Sequence, residues 1–267
     1  MFDVESLIKS GRSYQRVEST RIFDAEWSSE EWAKQQAESV ERYQDSSYEE
    51  DETLGVLFGG FIGTTLDRSG VALDIGCGLH SVLPHYVKHL ALEKYVGIEP
   101  LTAPVDRSYI CLSGVVAEDI PLHDGCASAA IFATSLDHIE EPKAAIGEVL
   151  RVLKPSAPLY FWLGVHDPYL LAEAKTFGVV HNQSTGLRKL LRIIAAPIEH
   201  LHLIRKMKTQ ARKLATGIPL DTAHARYHTV ATVDAELASY GLEIVRRVLV
   251  PGSTSMFVEA RALEGHR

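Results

Sequence analysis

The chain has 267 residues, 46% apolar and 23% charged, with 19 Gly, 11 Pro and three Cys. These proportions exclude a disordered chain, a collagen-like repeat and a disulfide-stapled scaffold, and the length supports one large core or two small ones. A formal net charge of −8 argues against non-specific nucleic-acid binding by the chain as a whole.

Cys77, Cys111 and Cys126 are odd in number and share no metal-ligand spacing, so no structural zinc and no disulfide framework is expected. A reducing cytoplasm is the default compartment. The opening Met1-Phe-Asp-Val-Glu lacks the basic and apolar regions of a secretory leader. No apolar run approaches the ~18 to 20 residues needed to cross a bilayer.

Residues 1–65 read as a helical N-terminal lid. Ser28-Ser29-Glu30-Glu31 predicts a capping box, Ser28 with Glu31, opening an amphipathic helix that runs to about Gln44. A Gly-spaced apolar stretch, Leu54 to Leu66, follows. From 66 to 165 the pattern changes to short apolar runs ended by turn or helix-start residues: VALDI, YVGIE, YICLSGVV, SAAIFAT and PLYFWLGV. Strands alternating with helical stretches predict parallel βαβ units. The helix after the fourth run has Pro142 in its first turn, apolar residues at 3.6-residue spacing from Ala145 to Leu153, and Lys154-Pro155 as its stop.

Residues 166–228 are too many for a bare loop and predict a helical insertion after the fifth predicted strand. Residues 229–267 predict a helix capped by Thr232, then two paired strands, EIVRRVLV and STSMFVEA, separated by Pro251-Gly252. The fold class is therefore α/β, a doubly wound, mostly parallel seven-stranded sheet.

Val71-Ala-Leu-Asp-Ile-Gly-Cys-Gly-Leu-His80 is a buried strand running into a glycine turn and a helix, which lets backbone approach a ligand closely. A dinucleotide loop reads GxGxxG, whereas here position 81 is Ser and Asp74 precedes the first glycine. A nicotinamide cofactor is disfavoured, and a cationic ligand group suits Asp74 better. The second strand ends in Glu99, a carboxylate able to accept two hydrogen bonds from a ribose diol.

In series, DIGCG, YVGIEP, Val116-Ala-Glu-Asp-Ile-Pro-Leu-His-Asp-Gly125, SLDHIEEP and EVLRVLKP resemble the class I S-adenosylmethionine-dependent methyltransferases over about residues 70–165. The resemblance implies a Rossmann-like methyltransferase fold and S-adenosylmethionine as cofactor. It implies that Asp74 with the backbone of Gly76, Cys77 and Gly78 holds the methionine moiety and that Glu99 binds the ribose hydroxyls. Pro100 and Ala117 then flank the adenine, Glu118 lies along its edge, and Thr134 offers backbone near the amino group. Three positions depart from the family pattern: His80 in place of a loop glycine, Val116 in place of an acid or amide, and Ser156-Ala157 after LKP.

Methyl transfer from a sulfonium is an in-line displacement, so most of the acceleration comes from aligning acceptor and methyl. A hydroxyl acceptor also needs a base. His138 follows the fourth predicted strand on the loop expected to face the acceptor, and Asp221, His224 and His228 share one helical face, as an oriented base or a three-ligand set. We expect a base from His138, His224 and His228, with no metal assigned. The acceptor is expected to be small, or linked to a glycan or lipid, and methylated on oxygen. Nitrogen or carbon acceptors, and a non-catalytic cofactor-binding scaffold, stay open.

Residues 186–213 hold eight cations against Glu199 alone, +7 in 28 residues, interleaved with apolar positions and broken at Pro197. The other 239 residues then sum to −15. Such a basic amphipathic segment suits an anionic or lipid-linked acceptor, peripheral membrane contact or an oligomer interface. Nucleic acid is not expected as a partner, since no binding-module pattern is present.

Overall fold

The computed structural model describes residues 2–24, 29–30, 32–34, 52–102, 106–167, 170, 224–263 and 265, with 201–202, 204–206, 208–209 and 212–213 of the basic segment. The strands are β1 (Gln15–Val17), β2 (Thr20–Ile22), β3 (Val71–Ile75), β4 (Lys94–Glu99), β5 (Ile110–Ser113), β6 (Ala129–Ala133), β7 (Leu159–Gly164), β8 (Leu242–Leu249) and β9 (Ser255–Ala262). The helices are α1 (Glu52–Ile62), α2 (His85–Lys88), α3 (Pro142–Val152) and α4 (Val233–Ser239). One sheet runs β1-β2-β5-β4-β3-β6-β7-β9-β8.

β3 to β7 pair in parallel, and β9 joins β7 antiparallel with β8 outside it, so the seven expected strands form the sheet. Among the described residues the sheet has nine strands, however, because the N-terminal segment adds a hairpin. β1 pairs β2 antiparallel, and β2 runs parallel to β5 with Thr20 opposite Cys111. That zone therefore extends the sheet as well as supplying a helix.

Each strand divides its side chains between two faces. Leu73, Ile75, Val96, Ile98, Phe132 and Phe161 bury against Ala145, Ile146 and Val149 of α3 and Val233 and Leu237 of α4. Tyr95, Cys111, Ile131, Tyr160 and Trp162 bury against Phe58 and Ile62 of α1 and Tyr86 and Val87 of α2. Helices thus cover both faces, the doubly wound arrangement. The whole of β3 is buried, which is why it reads as an uninterrupted apolar run.

Several local readings shift. The N-terminal helix is capped by Ser29, whose Oγ accepts from Trp32 N–H at 3.1 Å. Ser28, Glu31 and Gln44 lie outside the described residues. Thr232 begins α4 without a side-chain cap, and its hydroxyl accepts from Thr229 N–H instead. β5 is shorter than YICLSGVV, because Gly114 has φ +72° and a Cβ there would sit 2.1 Å from the Phe23 carbonyl oxygen. The chain turns at that glycine and carries Val115 and Val116 over the sheet edge. Among the described residues no helix is long and apolar enough to cross a membrane.

Candidate active site

A cavity of about 490 Å³ opens beyond the carboxyl ends of β3, β4 and β6, where the chain order of the strands reverses. Open parallel sheets hold ligands at this switch point, and the volume falls in the small-molecule range. Gly76, Cys77, Gly78, Glu99, Pro100, Ala117, Glu118, Thr134 and His138 all line it. So do Trp32, Pro84, Tyr86, Ser135, Trp162 and Ser255, none of them a candidate from the sequence. Trp162 Nε1 donates to Ser255 Oγ at 2.9 Å, joining β7 to β9 in the wall.

The glycine loop is fixed from three sides. Gly76 and Cys77 N–H both donate to the Ile98 carbonyl, at 2.8 and 3.1 Å. Gly76 has φ +73°, and a Cβ there would sit 2.6 Å from Ser135 Cβ. Gly78 N–H donates to Glu99 Oε2 at 2.7 Å, while its carbonyl accepts from Arg107 Nη1 at 2.9 Å. The same Nη1 donates to His80 O and to the Tyr109 hydroxyl. Sequence reasoning missed Arg107, a buried cation from the chain before β5; its composition gives no signal, since the contact is made across 29 residues.

Glu99 is 4% exposed, and its Oε1 accepts Leu101 N–H at 3.1 Å. Burial pushes its carboxyl above the ordinary range, opposed by the two backbone donors and the Arg107 charge. Glu118 is likewise pushed up by burial, and burial together with the Arg107 and His85 charges lowers His80. Asp74 is fully buried and stands beneath the cavity wall. Its Oδ2 accepts the hydroxyls of Tyr86, from α2, and Tyr95, from β4, at 2.7 and 2.5 Å. Asp74 therefore ties both neighbouring elements to β3, and Tyr86 reaches the wall. Thr134 has φ +56°, and its N–H is taken by the Trp162 carbonyl.

His138 ends a 3₁₀ turn, Leu136–His138, that follows β6. His224 stands beside it, ring centroids 4.6 Å apart. Asp137 lies between them, with Oδ1 4.0 Å from His138 Nε2 and Oδ2 3.8 Å from His224 Nε2. The juxtaposition is set by main chain: Ala225 N–H donates to the Asp137 carbonyl at 2.8 Å, and Arg226 Nη2 donates to the Ile139 and Glu140 carbonyls. His228 is elsewhere. It is 1% exposed and bonds Glu236 Oε2 through Nδ1 at 2.8 Å, and burial notwithstanding, that contact holds Glu236 below its ordinary range. Asp221 lies outside the described residues. In the basic segment Arg205, Lys206, Lys208, Arg212 and Lys213 are exposed.

Residues 73–161 match a family model described as a methyltransferase domain. No curated protein matches the chain. Among solved structures, the fold is similar to that of a Burkholderia thailandensis 1,6-didemethyltoxoflavin-N1-methyltransferase with bound 1,6-didemethyltoxoflavin and S-adenosylhomocysteine. That match has 13% identity and a TM-score of 0.58, covering 96% of this chain and 98% of that one. It is also similar to a Thermotoga maritima S-adenosylmethionine-dependent methyltransferase, described as a possible histamine N-methyltransferase, at 15% identity and a TM-score of 0.53, with 86% and 99% covered. A third similar structure is the [4+2]-cyclase SpnF, at 18% identity and a TM-score of 0.51, with 80% and 82% covered. The likeness thus spans different reactions on one fold. The family-model match starts at Leu73, in the strand that feeds the glycine loop, and ends at Phe161, beside β6; over those residues the chain carries a methyltransferase domain, on the fold it shares with the S-adenosylmethionine-dependent methyltransferases above.

Proposed function

We propose that the chain methylates a hydroxyl oxygen of a small acceptor, free or carried on a glycan or lipid, with His138 taking the acceptor's proton. The observation that carries this reading is the position of the His138 imidazole in the wall of the cavity that begins at the glycine loop. The cofactor supplies an electrophilic methyl group whose leaving group needs no protonation.

The cavity's donors and acceptors fit that cofactor. The loop's positive-φ glycines remove side chains from the wall, as a closely approaching ligand requires. Gly76, Cys77 and Gly78 would hold the methionine end, and Glu99 the ribose diol. Pro100 and Ala117 would flank the adenine, with Glu118 along its edge and the Thr134 backbone near the amino group. Asp74 acts from beneath by fixing Tyr86. In the cavity wall, His138 accepts the proton as the oxygen attacks, with Asp137 Oδ1 4.0 Å from its Nε2. His224 lines up the same carboxylate from the other side. The exposed cations of the basic segment favour an anionic group on the acceptor, or an anionic membrane surface that presents it.

The test is product identification by mass after incubation with labelled cofactor and acceptor pools, followed by kinetics of His138→Ala. Loss of a positioned base costs roughly 10²- to 10⁴-fold in kcat. Unchanged turnover in both His138→Ala and His224→Ala would move the reading to a neutral amine acceptor, which needs no base. No labelled product from any pool would favour the scaffold.

A further inference from the structure

The same two histidines and their carboxylate have a second capacity. We propose that Asp137, His138 and His224 form a binding site for a late first-row divalent metal ion, of the zinc or cobalt kind. One ligand atom from each lies within 4.8 Å of the others. The closer separations, 3.8 and 4.0 Å, are too long for hydrogen bonds. An ion centred among three atoms up to 4.8 Å apart sits within about 2.8 Å of each, against roughly 2.0 to 2.2 Å for zinc bonds to nitrogen and oxygen, so the site closes by at most about 0.8 Å per ligand.

Three further observations point the same way. Two imidazoles and one carboxylate are the donor set that late divalent metals favour over magnesium or calcium. Asp137 is 13% exposed at its side chain, and its ion-pair partners among the described residues are those two imidazoles, with no Lys or Arg. The ligands come from positions 137, 138 and 224, yet the bonds from Ala225 and Arg226 to the 137–140 loop fix their spacing without any ion. Such supporting bonds are what orient metal ligands elsewhere. Three protein ligands leave a coordination position open, and the His138 side of the set faces the cavity.

Metal and base use the same lone pair on His138, so the inference rests in part on the oxygen-transfer reading: occupancy by the ion switches that base off. Cobalt(II) titration of the full chain reads the site directly through its visible absorption. One equivalent should produce a saturable band. Asp137→Asn and His224→Gln should weaken binding by at least the roughly 10- to 100-fold that follows loss of a mere supporting group. The surface variant His123→Ala should leave the band as it is, and thermal melting of each variant keeps misfolding separate from ligand loss. Absence of a saturable band in the intact chain, or one that survives both substitutions, overturns the site. If the band forms and turnover falls with cobalt and recovers with chelator, both readings stand. If turnover instead requires the ion, the site stands and the free-base reading falls. If no ion binds while His138→Ala still abolishes turnover, the site falls and the base stands.

Discussion

Arg107→Met tests whether the glycine loop is held from behind by one buried cation. Arg107 is 3% exposed, and its Nη1 donates to the Gly78 and His80 carbonyls and to the Tyr109 hydroxyl. After substitution the His80 carbonyl keeps the Tyr109 hydroxyl at 3.0 Å, whereas the Gly78 carbonyl keeps only a weak thiol contact from Cys77 at 3.7 Å. One buried carbonyl left without a strong donor costs about 1–3 kcal/mol. The Arg107 Nε and Nη2 atoms have no partner among the described residues, so removing the charge also relieves some desolvation. We therefore expect a net loss of about 2 kcal/mol, seen as a fall in Tm of roughly 4–8 °C for a domain of this size. Because Gly78 sits between Arg107 and Glu99, cofactor affinity should drop about tenfold by calorimetry, equivalent to about 1.4 kcal/mol. Without the nearby cation, the Glu99 carboxyl should titrate higher still. An unchanged Tm with affinity within about twofold would refute the clamp.

Burial raises Glu99, so its carboxylate form, the acceptor for ribose hydroxyls, should be lost on acidification while the pH is still above 4.5. Cofactor affinity should fall through that window and become flat in Glu99→Gln. The stability sign is opposite: with the folded-state value above the unfolded one, the Glu99 contribution is present below pH 4.5 and lost as pH rises through the raised value. Gly76→Ala forces a Cβ onto a backbone at φ +73° and against Ser135; about 2–4 kcal/mol of destabilisation by urea titration, with loss of cofactor binding, is expected. His228→Ala takes the partner from Glu236 Oε2 while Oε1 keeps the Tyr240 hydroxyl at 3.0 Å, so a stability loss of about 1–3 kcal/mol with kcat of the folded fraction nearly intact is expected. A large fall in kcat at wild-type Tm would instead restore His228 to catalysis.

β3 to β7 and β9 were legible because each is buried enough to write itself as an apolar run between turn residues. VALDI and LYFWLG need no partner to be recognised. The β1–β2 hairpin was not legible: QRV is exposed throughout and pairs with the neighbouring TRI, whose own strand character comes from pairing with a segment ninety residues on. Adjacent serines at 28 and 29 offer the same capping chemistry, and only the Trp32 amide distinguishes them. At the site, the glycine loop and Glu99 are local in sequence and were found. The tyrosines aimed at Asp74 and the pairing of His138 with His224 depend on elements meeting in space, so their types alone carried no register. Asp137 was passed over because its role appears only once the residue 86 positions beyond its neighbour is in place.

The hairpin also decides what the sheet shows at its rims. Without β1 and β2, the fully paired, largely apolar β5 would end the sheet with its ladder groups open to a second chain. With them, one rim is a three-residue strand carrying Arg16 between exposed neighbours. The other rim, β8, has a register shift between Ile244 and Arg246 and exposed charges at Glu243 and Arg247. Short, charged and irregular edges resist strand-to-strand stacking. The N-terminal segment therefore works as a guard against self-association, and a chain lacking residues 1–24 should aggregate on heating well before its core melts.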